Sequence, residues 1–371
     1  MASIVSGGAQ QGKKVITCFC GDAFVDVQTS AMPRLPIWGH DTRVDSVKVL
    51  AGGSLCNVAR RFGALVESYP TSGFVAEGIA FEKPVVQCVT GKDTLGQIQC
   101  NTLRDEGFTD VSNVLIDESS SQATCIVMTG ASDRAFISCN STNSKLSPKY
   151  MYRVACKTFD NSNYFSSVYH LHIGGYFCCA QMMTKDFDIH LKMLKEKYTS
   201  MTISLDTNFD ATGQWTGNGF LQSVLPYVDI MFPNEMEAQG ISKQDTPEKA
   251  LEKLCSLYPN CLFVMTVGKD GAKVGKGKSL RFDVSPGALV DNVVDSTGAG
   301  DSFAAAFLFQ YLVESKTPMP GAEDDRYRAI IKLCCQVANI AGGMCVQQHG
   351  AVSEHYSYAD LRSGQATQYG E

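Results

Sequence analysis

The sequence predicts an α/β protein in which a mostly parallel sheet is covered by helices on both faces. The first observation is that strand patterns alternate with helical patterns in the second half of the chain. The predicted strands are 168–173, 202–206, 230–232 and 262–267, and the helices between them include 185–198 and 246–258. Such alternation builds parallel sheets, which are buried on both faces. The second observation is that each polar or glycine-rich motif follows a strand or opens a helix, where ligands bind on such sheets.

The composition fits one large α/β domain or two smaller ones, and no low-complexity linker divides the chain. A length of 371 residues allows either arrangement, and a charged content of 19% is ordinary for a globular enzyme. The net charge of −6 argues against a nucleic-acid-binding protein. No apolar run is long enough to span a bilayer, and residues 1–14 lack the apolar core of a signal peptide. We therefore expect a cytoplasmic protein with reduced cysteines and no membrane partner.

The first half of the chain contains two further predicted strand and helix units. A buried strand at 14–20 is followed, after a glycine pair, by a helix at 55–65. A strand at 85–90 is followed by a helix that ends near residue 106. The segment between these units, 66–83, contains proline and glycine and is interpreted as a surface insertion.

Two other segments, 26–50 and 111–139, have short strand patterns without helical periodicity. The second segment contains a predicted hairpin with strands at 124–129 and 134–139, separated by the turn residues 130–133. Both segments are therefore interpreted as short strands.

The stretch 291–312 contains the most informative motif. The apolar pair Val293-Val294 predicts a strand that leads into Asp295-Ser296-Thr297-Gly298-Ala299-Gly300-Asp301, and an apolar helix follows from Phe303. Free N–H groups at a helix start, beside glycines that allow close approach, form an anion site. Asp301 would repel a phosphate there unless it accepts a proton from an attacking hydroxyl. The alternative is an ordinary aspartate at a helix N-cap.

Four further motifs are expected at the same sheet edge. They are Asp26 after the first strand, Gly52, Gly53 and Asn57 at a helix start, Asp206 and Asn208 after one strand, and Asn234 with Glu237 after another. Each motif has a simpler interpretation when it is taken alone. The glycines are typical of turns, Asn57 of a helix cap, and Glu237 of a helix surface.

Several of these motifs together resemble the ribokinase-like (PfkB) carbohydrate kinases, over nearly the whole chain from Lys14 to about Ser353. The stretch 295–303 is similar to the C-terminal signature of that family, and 52–57 is similar to its N-terminal glycine motif. The stretch 234–237 matches its N-x-x-E motif, and 265–271 matches its T-x-G-x-x-G turn. The resemblance implies a ribokinase-like three-layer sandwich with a mostly parallel central sheet and a small β lid formed by 26–50 and 111–139.

The resemblance also implies roles for individual residues. Asp301 would be the base, and the N–H groups of Gly298, Ala299 and Gly300 would stabilise the transferred phosphoryl group. Glu237 would bind Mg²⁺ through water. In some members Asp295 and Thr297 correspond to a site for a monovalent cation, K⁺. Substrate hydroxyls would be bound by Asp26, Gly52, Gly53, Asn57 and His172, and ATP by Asn208, Asn234, Thr266, Gly268, Gly271 and Asn339.

Three features depart from the family pattern. Asp210 stands where an arginine is frequent, and an acidic residue there would be unfavourable beside a triphosphate unless it points away. His172 lies near an acidic sugar contact of ribokinases, and a buried structural histidine is the alternative. The insertion at 66–83 has no counterpart in short members. By contrast, 275–279 only resembles a P-loop, because Ala272 replaces its first glycine, and we interpret it as a hairpin tip.

The expected function is therefore the ATP-dependent phosphorylation of a hydroxyl group on a small sugar, with Mg²⁺ as a cofactor. A nucleoside kinase is the alternative, since aromatic lid residues could stack on a base. Candidates for that stacking are Phe24, Trp38 and Phe136, and all three could equally belong to the core of the lid. A non-catalytic regulator that binds a sugar or nucleotide is a third alternative. The expected partners are the small substrate and a second copy of the chain that binds through the lid.

Overall fold

The structure is a computed structural model that describes residues 13–130, 134–161, 167–315 and 319–370. The hairpin turn expected at 130–133 and the start of the chain therefore lie partly outside the described residues. The strands are β1 (Lys13–Gly21), β2 (Phe24–Thr29), β3 (Val47–Gly52), β4 (Ile79–Phe81), β5 (Val85–Gln87), β6 (Val89–Gly91), β7 (Leu115–Asp117), β8 (Thr124–Thr129), β9 (Arg134–Cys139), β10 (Ser167–Gly174), β11 (Thr202–Leu205), β12 (Ile230–Met231), β13 (Leu262–Thr266), β14 (Ala272–Lys276) and β15 (Leu280–Val284).

Ten α-helices are found in the described ranges. They are α1 (Ser54–Ser68), α2 (Thr94–Asp105), α3 (Pro148–Asp160), α4 (Lys185–Lys197), α5 (Leu221–Val224), α6 (Glu235–Ser242), α7 (Pro247–Leu257), α8 (Ala299–Glu314), α9 (Asp325–Cys345) and α10 (Tyr358–Tyr369). None of the helices in this part of the chain is both long and apolar enough to cross a membrane.

The central sheet has the mostly parallel order that the sequence predicts. Its nine strands run in the order β15-β14-β13-β12-β11-β10-β1-β4, and β5 also pairs with β1. All pairs from β4 to β13 are parallel, whereas β14 and β15 add an antiparallel hairpin that includes the segment 275–279. The single strand expected at 85–90 is instead divided between β5 and β6, which belong to different sheets.

Helices cover both faces of this sheet because its strands are apolar on both faces. In β13, Leu262 and Val264 pack into one hydrophobic core, while Phe263 and Met265 pack into the other. The first core contains apolar residues of α1, α8, α9 and α10, and the second contains those of α3, α4 and α7. Helix α8 is buried at almost every position because it packs between α1 and α9. The result is the three-layer α/β sandwich.

A second sheet is formed by the two segments that were expected to form a lid. Its four strands run in the order β3-β2-β8-β9, with β2 antiparallel to β3 and parallel to β8. We call these four strands the lid sheet. The hairpin of β8 and β9 has the bounds that the sequence predicts, 124–129 and 134–139.

Two local expectations differ from the structure. The segment 66–83 is not confined to the surface, since Tyr69 and Ile79 are buried in the first core and β4 pairs with β1. Val293 and Val294 form no strand, although both are β-branched. Both are exposed, and the Val294 N–H donates to the carbonyl of Val346 at 2.7 Å instead of to a neighbouring strand.

Candidate active site

The carboxyl ends of the parallel strands and the starts of two helices meet at one edge of the central sheet. Asp22 follows β1, Asp206 follows β11, and Asn234 follows β12. Since parallel strands end at the same edge, these side chains come together despite their separation in the sequence. The first turns of α1 and α8 complete the site.

Asp301 and Asn57 join those two helix starts. The side-chain amide Nδ2 of Asn57 donates a hydrogen bond of 2.8 Å to Oδ2 of Asp301. Burial and the nearby Asp206 carboxylate raise the pKa of Asp301 to about 7, although the hydrogen bond from Asn57 lowers it. Asp301 is therefore a carboxyl group that exchanges its proton near neutral pH, as a general base requires.

The start of α8 has the geometry of an anion site. Gly298 is its N-cap residue, with a left-handed φ of 77°, and no side chain caps the helix there. The N–H groups of Gly298, Gly300 and Asp301 donate to no acceptor among the described residues. The Ala299 N–H, which was also predicted to belong to the anion site, makes only a long hydrogen bond of 3.4 Å to the Ser296 carbonyl. A Cβ atom on Gly300 would meet nothing within 4 Å, so the space in front of it is open. Asp301 lies in the first turn and is not the N-cap residue, which removes the simpler interpretation of that aspartate.

Three further carboxylates lie close to Asp301. Asp22 is fully buried, and its Oδ1 accepts a hydrogen bond of 2.8 Å from the Leu55 N–H. Asp206 accepts a hydrogen bond of 2.6 Å from the Ser54 hydroxyl. Glu237 is the third carboxylate. Burial raises the pKa of Asp22, Asp206 and Glu237. Repulsion from Asp206 raises the pKa of the other two further, to about 6 for Asp22 and about 8 for Glu237.

Asp26 approaches the same region from the lid sheet. Its carboxylate packs against the Cα atom of Gly52, where any Cβ would collide with it, and Gly53 has a left-handed φ of 95°. Burial, with repulsion from Asp22, raises the pKa of Asp26 to about 7. We call these five residues, Asp22, Asp26, Asp206, Glu237 and Asp301, the acidic cluster.

Mg²⁺ is the cation expected near the acidic cluster. Its carboxyl groups disfavour one another's ionisation, and a divalent cation would relieve that repulsion. Glu237 and Asn234 hold each other in a capping box, with hydrogen bonds of 2.9 and 3.0 Å. Within the described ranges, no group of three or more His, Cys, Asp or Glu side chains is arranged to hold a metal ion by itself. This is compatible with Mg²⁺, which usually keeps several waters.

Comparison with known proteins assigns the family. A model of the pfkB family of carbohydrate kinases matches residues 30–355. This chain belongs to the pfkB family. It is 29% identical over 226 residues to a 2-dehydro-3-deoxygluconokinase of Bacillus subtilis, a match that covers 59% of this chain and 65% of that protein. The chain spans less than two thirds of the length of the first curated relatives that it matches.

Two solved ribokinases share the fold at low identity. The ribokinase of Giardia lamblia superimposes with a TM-score of 0.73 at 18% identity, covering 96% of this chain and 99% of that chain. The ribokinase of Arabidopsis thaliana, solved with ribose and ATP, gives a TM-score of 0.68 at 18% identity, covering 95% and 99%. The predicted ribokinase-like fold and family are thus confirmed.

The residues expected on the nucleotide side of this pfkB chain lie in two places, beside Asn234 and Asp206 and at the turn after β13. Thr266 forms a β-bridge with Asn234, and Asn208 has a left-handed φ of 58° directly beside Asp206. Gly268 and Gly271, further along the turn after β13, also have positive φ. Asn339 is buried in α9, and its amide donates to the carbonyl of Val284 at 3.4 Å, so it supports the strand end that packs on Gly271.

The structure shows the surroundings of two residues that depart from the family pattern. The carboxylate of Asp210 accepts hydrogen bonds from the N–H groups of Thr212 and Trp215, so it stabilises its own turn. His172 lies inside the central sheet, fully buried against Phe19, with its Nδ1 2.8 Å from the Ser204 hydroxyl. Its Nε2 is buried and has no hydrogen-bond partner among the described residues.

The predicted cation residues, Asp295 and Thr297, do not fit a monovalent cation. Oδ1 of Asp295 already accepts hydrogen bonds from Arg134 and Thr297, and Oδ2 accepts from Gln28 and from the Gly350 N–H. The side chain of Arg134 also donates to the Thr297 hydroxyl. The guanidinium group therefore lies where the family resemblance implies a metal ion.

Sequence reasoning missed Asp22 and Arg134. The signal for Asp22 was present, since Gly21-Asp22 directly follows the first strand, but Asp26 was favoured as the sugar contact. Arg134 begins a strand of a hairpin, and nothing near it in the sequence indicates a contact with residue 295.

Proposed function

We propose that this chain is an ATP-dependent kinase that phosphorylates a hydroxyl group of a small sugar. The observation that supports this most strongly is the hydrogen bond from Asn57 to Asp301 at the start of α8. This hydrogen bond orients the Asp301 carboxyl group, whose pKa is about 7, beside free N–H groups and the open space at Gly300. A base beside an anion site is the arrangement that phosphoryl transfer to an alcohol requires.

In the proposed reaction Asp301 accepts the proton of the substrate hydroxyl. The hydroxyl oxygen forms a bond to the γ-phosphorus of ATP, the bond from that phosphorus to the bridging oxygen breaks, and ADP leaves with the electron pair. The N–H groups of residues 298–300, at the positive end of the α8 dipole, stabilise the negative charge of the transferred group. Gly300 leaves the space for that group because it has no side chain.

The remaining site residues divide between the two substrates. Asp26, Gly53 and Asn57 bind sugar hydroxyls, because a carboxylate and an amide can each satisfy several hydroxyl groups. Asn208, Asn234 and the turn that contains Thr266 and Gly268 border ATP. When Mg²⁺ is bound near Glu237, it neutralises phosphate charge.

The test is an ATP-consumption screen over ribose, fructose, 2-keto-3-deoxygluconate, adenosine and inosine, with ³¹P NMR of the product. The wild type is compared with Asp301→Asn and with Asp325→Asn, an exposed aspartate in the first turn of α9. Asp301→Asn should lower kcat by about a hundredfold to ten-thousandfold, and Asp325→Asn should not change it. Near-normal turnover by Asp301→Asn would contradict the assignment of the base. No turnover on any acceptor would favour a binding regulator.

A nucleoside kinase is the second candidate, and one residue of the lid sheet supports it. Phe136 is 56% exposed and is paired with Val127, which is itself paired with Gln28. It therefore projects from the same face as Asp26, two residues before Gln28. Phe24 is buried and Trp38 is fully exposed, so neither offers a comparable platform. Phe136→Ala should reduce turnover of nucleosides and leave that of ribose if the ring stacks on a base.

We also propose that the opposite face of the lid sheet binds a second copy of the chain. Val27 is paired with Val49 on one side and Ile126 on the other, and Ile126 is paired with Ile137. These four residues form an apolar row on the face that does not carry Asp26. Val49, Ile126 and Ile137 are all exposed. An exposed apolar row across four strands is typical of an interface.

A further inference from the structure

Asp295 is the point where the lid sheet is fastened to the loop before α8. Its carboxylate accepts a hydrogen bond of 2.9 Å from Gln28 Nε2 and one of 3.0 Å from Arg134 Nη1, and both donors belong to the lid sheet. From the main domain it accepts hydrogen bonds from Thr297 and from the Gly350 N–H, at 2.9 Å each. Although burial alone would raise its pKa, the hydrogen bonds from Gln28, Thr297 and Gly350 lower it to about 2. Asp295 is thus an anion at every physiological pH.

Arg134 supplies the positive charge for this anion. Its side chain is 22% exposed and that of Asp295 is 4% exposed, so the pair is screened less than a surface pair. The second terminal nitrogen, Nη2, donates to the Ser296 hydroxyl at 2.5 Å, and Nη1 also donates to the Thr297 hydroxyl. One planar guanidinium group therefore contacts three successive residues that lead directly into Gly298. Such fork-shaped contacts fix orientation as well as charge.

We infer that Arg134 is a positioning residue that acts as a built-in cation for the loop at 295–297, in place of a monovalent metal ion. This inference rests on the proposed kinase function for its effect on rate. Because Arg134 belongs to β9, the charge is delivered to the loop only when the lid sheet lies against it. The contact therefore links closure over the substrate to the alignment of the N–H groups at 298–300.

The surroundings of Arg134 make this inference testable with ions. Arg134 lines a pocket of about 490 Å³ between the lid sheet and residues 293–296, together with Lys48 and His349. Asn57, Glu237 and Asp301 do not line that pocket. A cation from solvent can therefore reach Asp295 when the guanidinium group is removed.

The experiment compares the wild type with Arg134→Met and Arg134→Lys in potassium chloride and in tetramethylammonium chloride at equal ionic strength. Wild-type kcat and Tm should not respond to potassium. Arg134→Met should lose about tenfold to a hundredfold in kcat in tetramethylammonium, and potassium or guanidinium should restore part of it. Arg134→Lys should retain more activity than Arg134→Met in tetramethylammonium. Potassium should also raise the Tm of Arg134→Met alone.

The matched control is Gln28→Met, which removes the other lid contact with Asp295 but no charge. Its activity and Tm should not respond to potassium. A wild type that requires potassium, or an Arg134→Met variant with no response in either kcat or Tm, would overturn the inference. If no variant has kinase activity but potassium still raises the Tm of Arg134→Met selectively, the proposed function fails and the cation role of Arg134 stands.

Discussion

The side-chain amide of Asn57 donates a hydrogen bond of 2.8 Å to the carboxylate of Asp301, 244 residues further along the chain. The bond connects the first turn of α1 with the first turn of α8, two helices that pack against each other in the first core. It orients the carboxylate and stabilises its ionised form, which is the form that accepts a proton. One residue thereby contacts the proposed base and, in the proposed complex, the substrate.

Replacing Asn57 with alanine should move the pH dependence of the reaction. The proposed base must be ionised, so kcat/KM should rise with pH and level off above about 7, the pKa of Asp301. Without the Asn57 amide the ionised form loses a donor, so the acid limb of Asn57→Ala should shift to higher pH. The measurement is kcat/KM against pH under saturating ATP. An unchanged limb in Asn57→Ala would show that another group controls the profile.

Substitution of the two glycines at the start of α8 should separate stability from catalysis. Gly298→Ala places a side chain at a φ of 77°, where its Cβ collides with Ala351, so it should destabilise the fold by about 1–3 kcal/mol. Gly300→Ala meets nothing within 4 Å and should keep or slightly raise the Tm. Its methyl group enters the space proposed for phosphate, so kcat should fall about tenfold or more.

Thermal unfolding and steady-state kinetics of both glycine variants check this pair of expectations. A Gly300→Ala variant with wild-type kcat would contradict the anion site. A Gly298→Ala variant with wild-type Tm would show that the loop can move away from Ala351.

The acidic cluster should make stability depend on pH and on Mg²⁺. The folded pKa values of Asp26, Asp301 and Glu237, about 7, 7 and 8, lie above the unfolded values of about 4. The folded state therefore binds these protons more tightly, and the stability that they contribute is lost as the pH rises from about 4 to about 8. The buried His170 and His172 have lowered pKa values and change Tm in the opposite direction below about pH 6.5. With a chelator present, Tm should therefore fall as the pH rises from about 6.5 to about 8, and Mg²⁺ should restore it mainly at high pH.

Glu237→Gln tests whether this dependence comes from the proposed Mg²⁺ site. It should flatten the pH dependence of Tm and reduce the Tm shift caused by Mg²⁺. Glu235→Gln is the matched control, because Glu235 lies on the same helix but is exposed. Equal Mg²⁺ shifts in the two variants would place the ion elsewhere.

The sequence predicts the central fold well because its physical signals are local. Strands buried on both faces are continuous apolar runs, and the bounds of β8 and β9 follow from alternation and turn residues. Asp301, Asn57 and Glu237 can also be recognised in the sequence as candidate site residues, since each lies in a short motif between the end of a strand and the start of a helix. The same local logic fails at Val293 and Val294, because β-branched residues form a strand only where a partner strand is available.

Contacts between distant segments are not encoded in any short motif. Arg134 and Asp295 are 161 residues apart, and a strand arginine gives no indication of the loop that it reaches. The face of β10 from which His172 projects is a related problem for prediction. A strand places alternate side chains on opposite faces, so a shift of one residue decides between a ligand contact and a buried core position.

The exposed apolar row on the lid sheet predicts a dimer. If the row of Val49, Ile126 and Ile137 binds a second copy, Ile137→Lys should introduce a buried charge into the interface and shift the protein toward a monomer. Ser138→Lys is the matched control, because it adds the same charge at the next residue of β9, which projects from the opposite face. Light scattering after size-exclusion chromatography over a range of protein concentrations gives the mass of each variant. A wild type that is monomeric throughout, or equal masses for Ile137→Lys and the wild type, would contradict the interface. The control matters because a lysine on either face could lower association through net charge alone, and only a difference between the two variants assigns the effect to the apolar row.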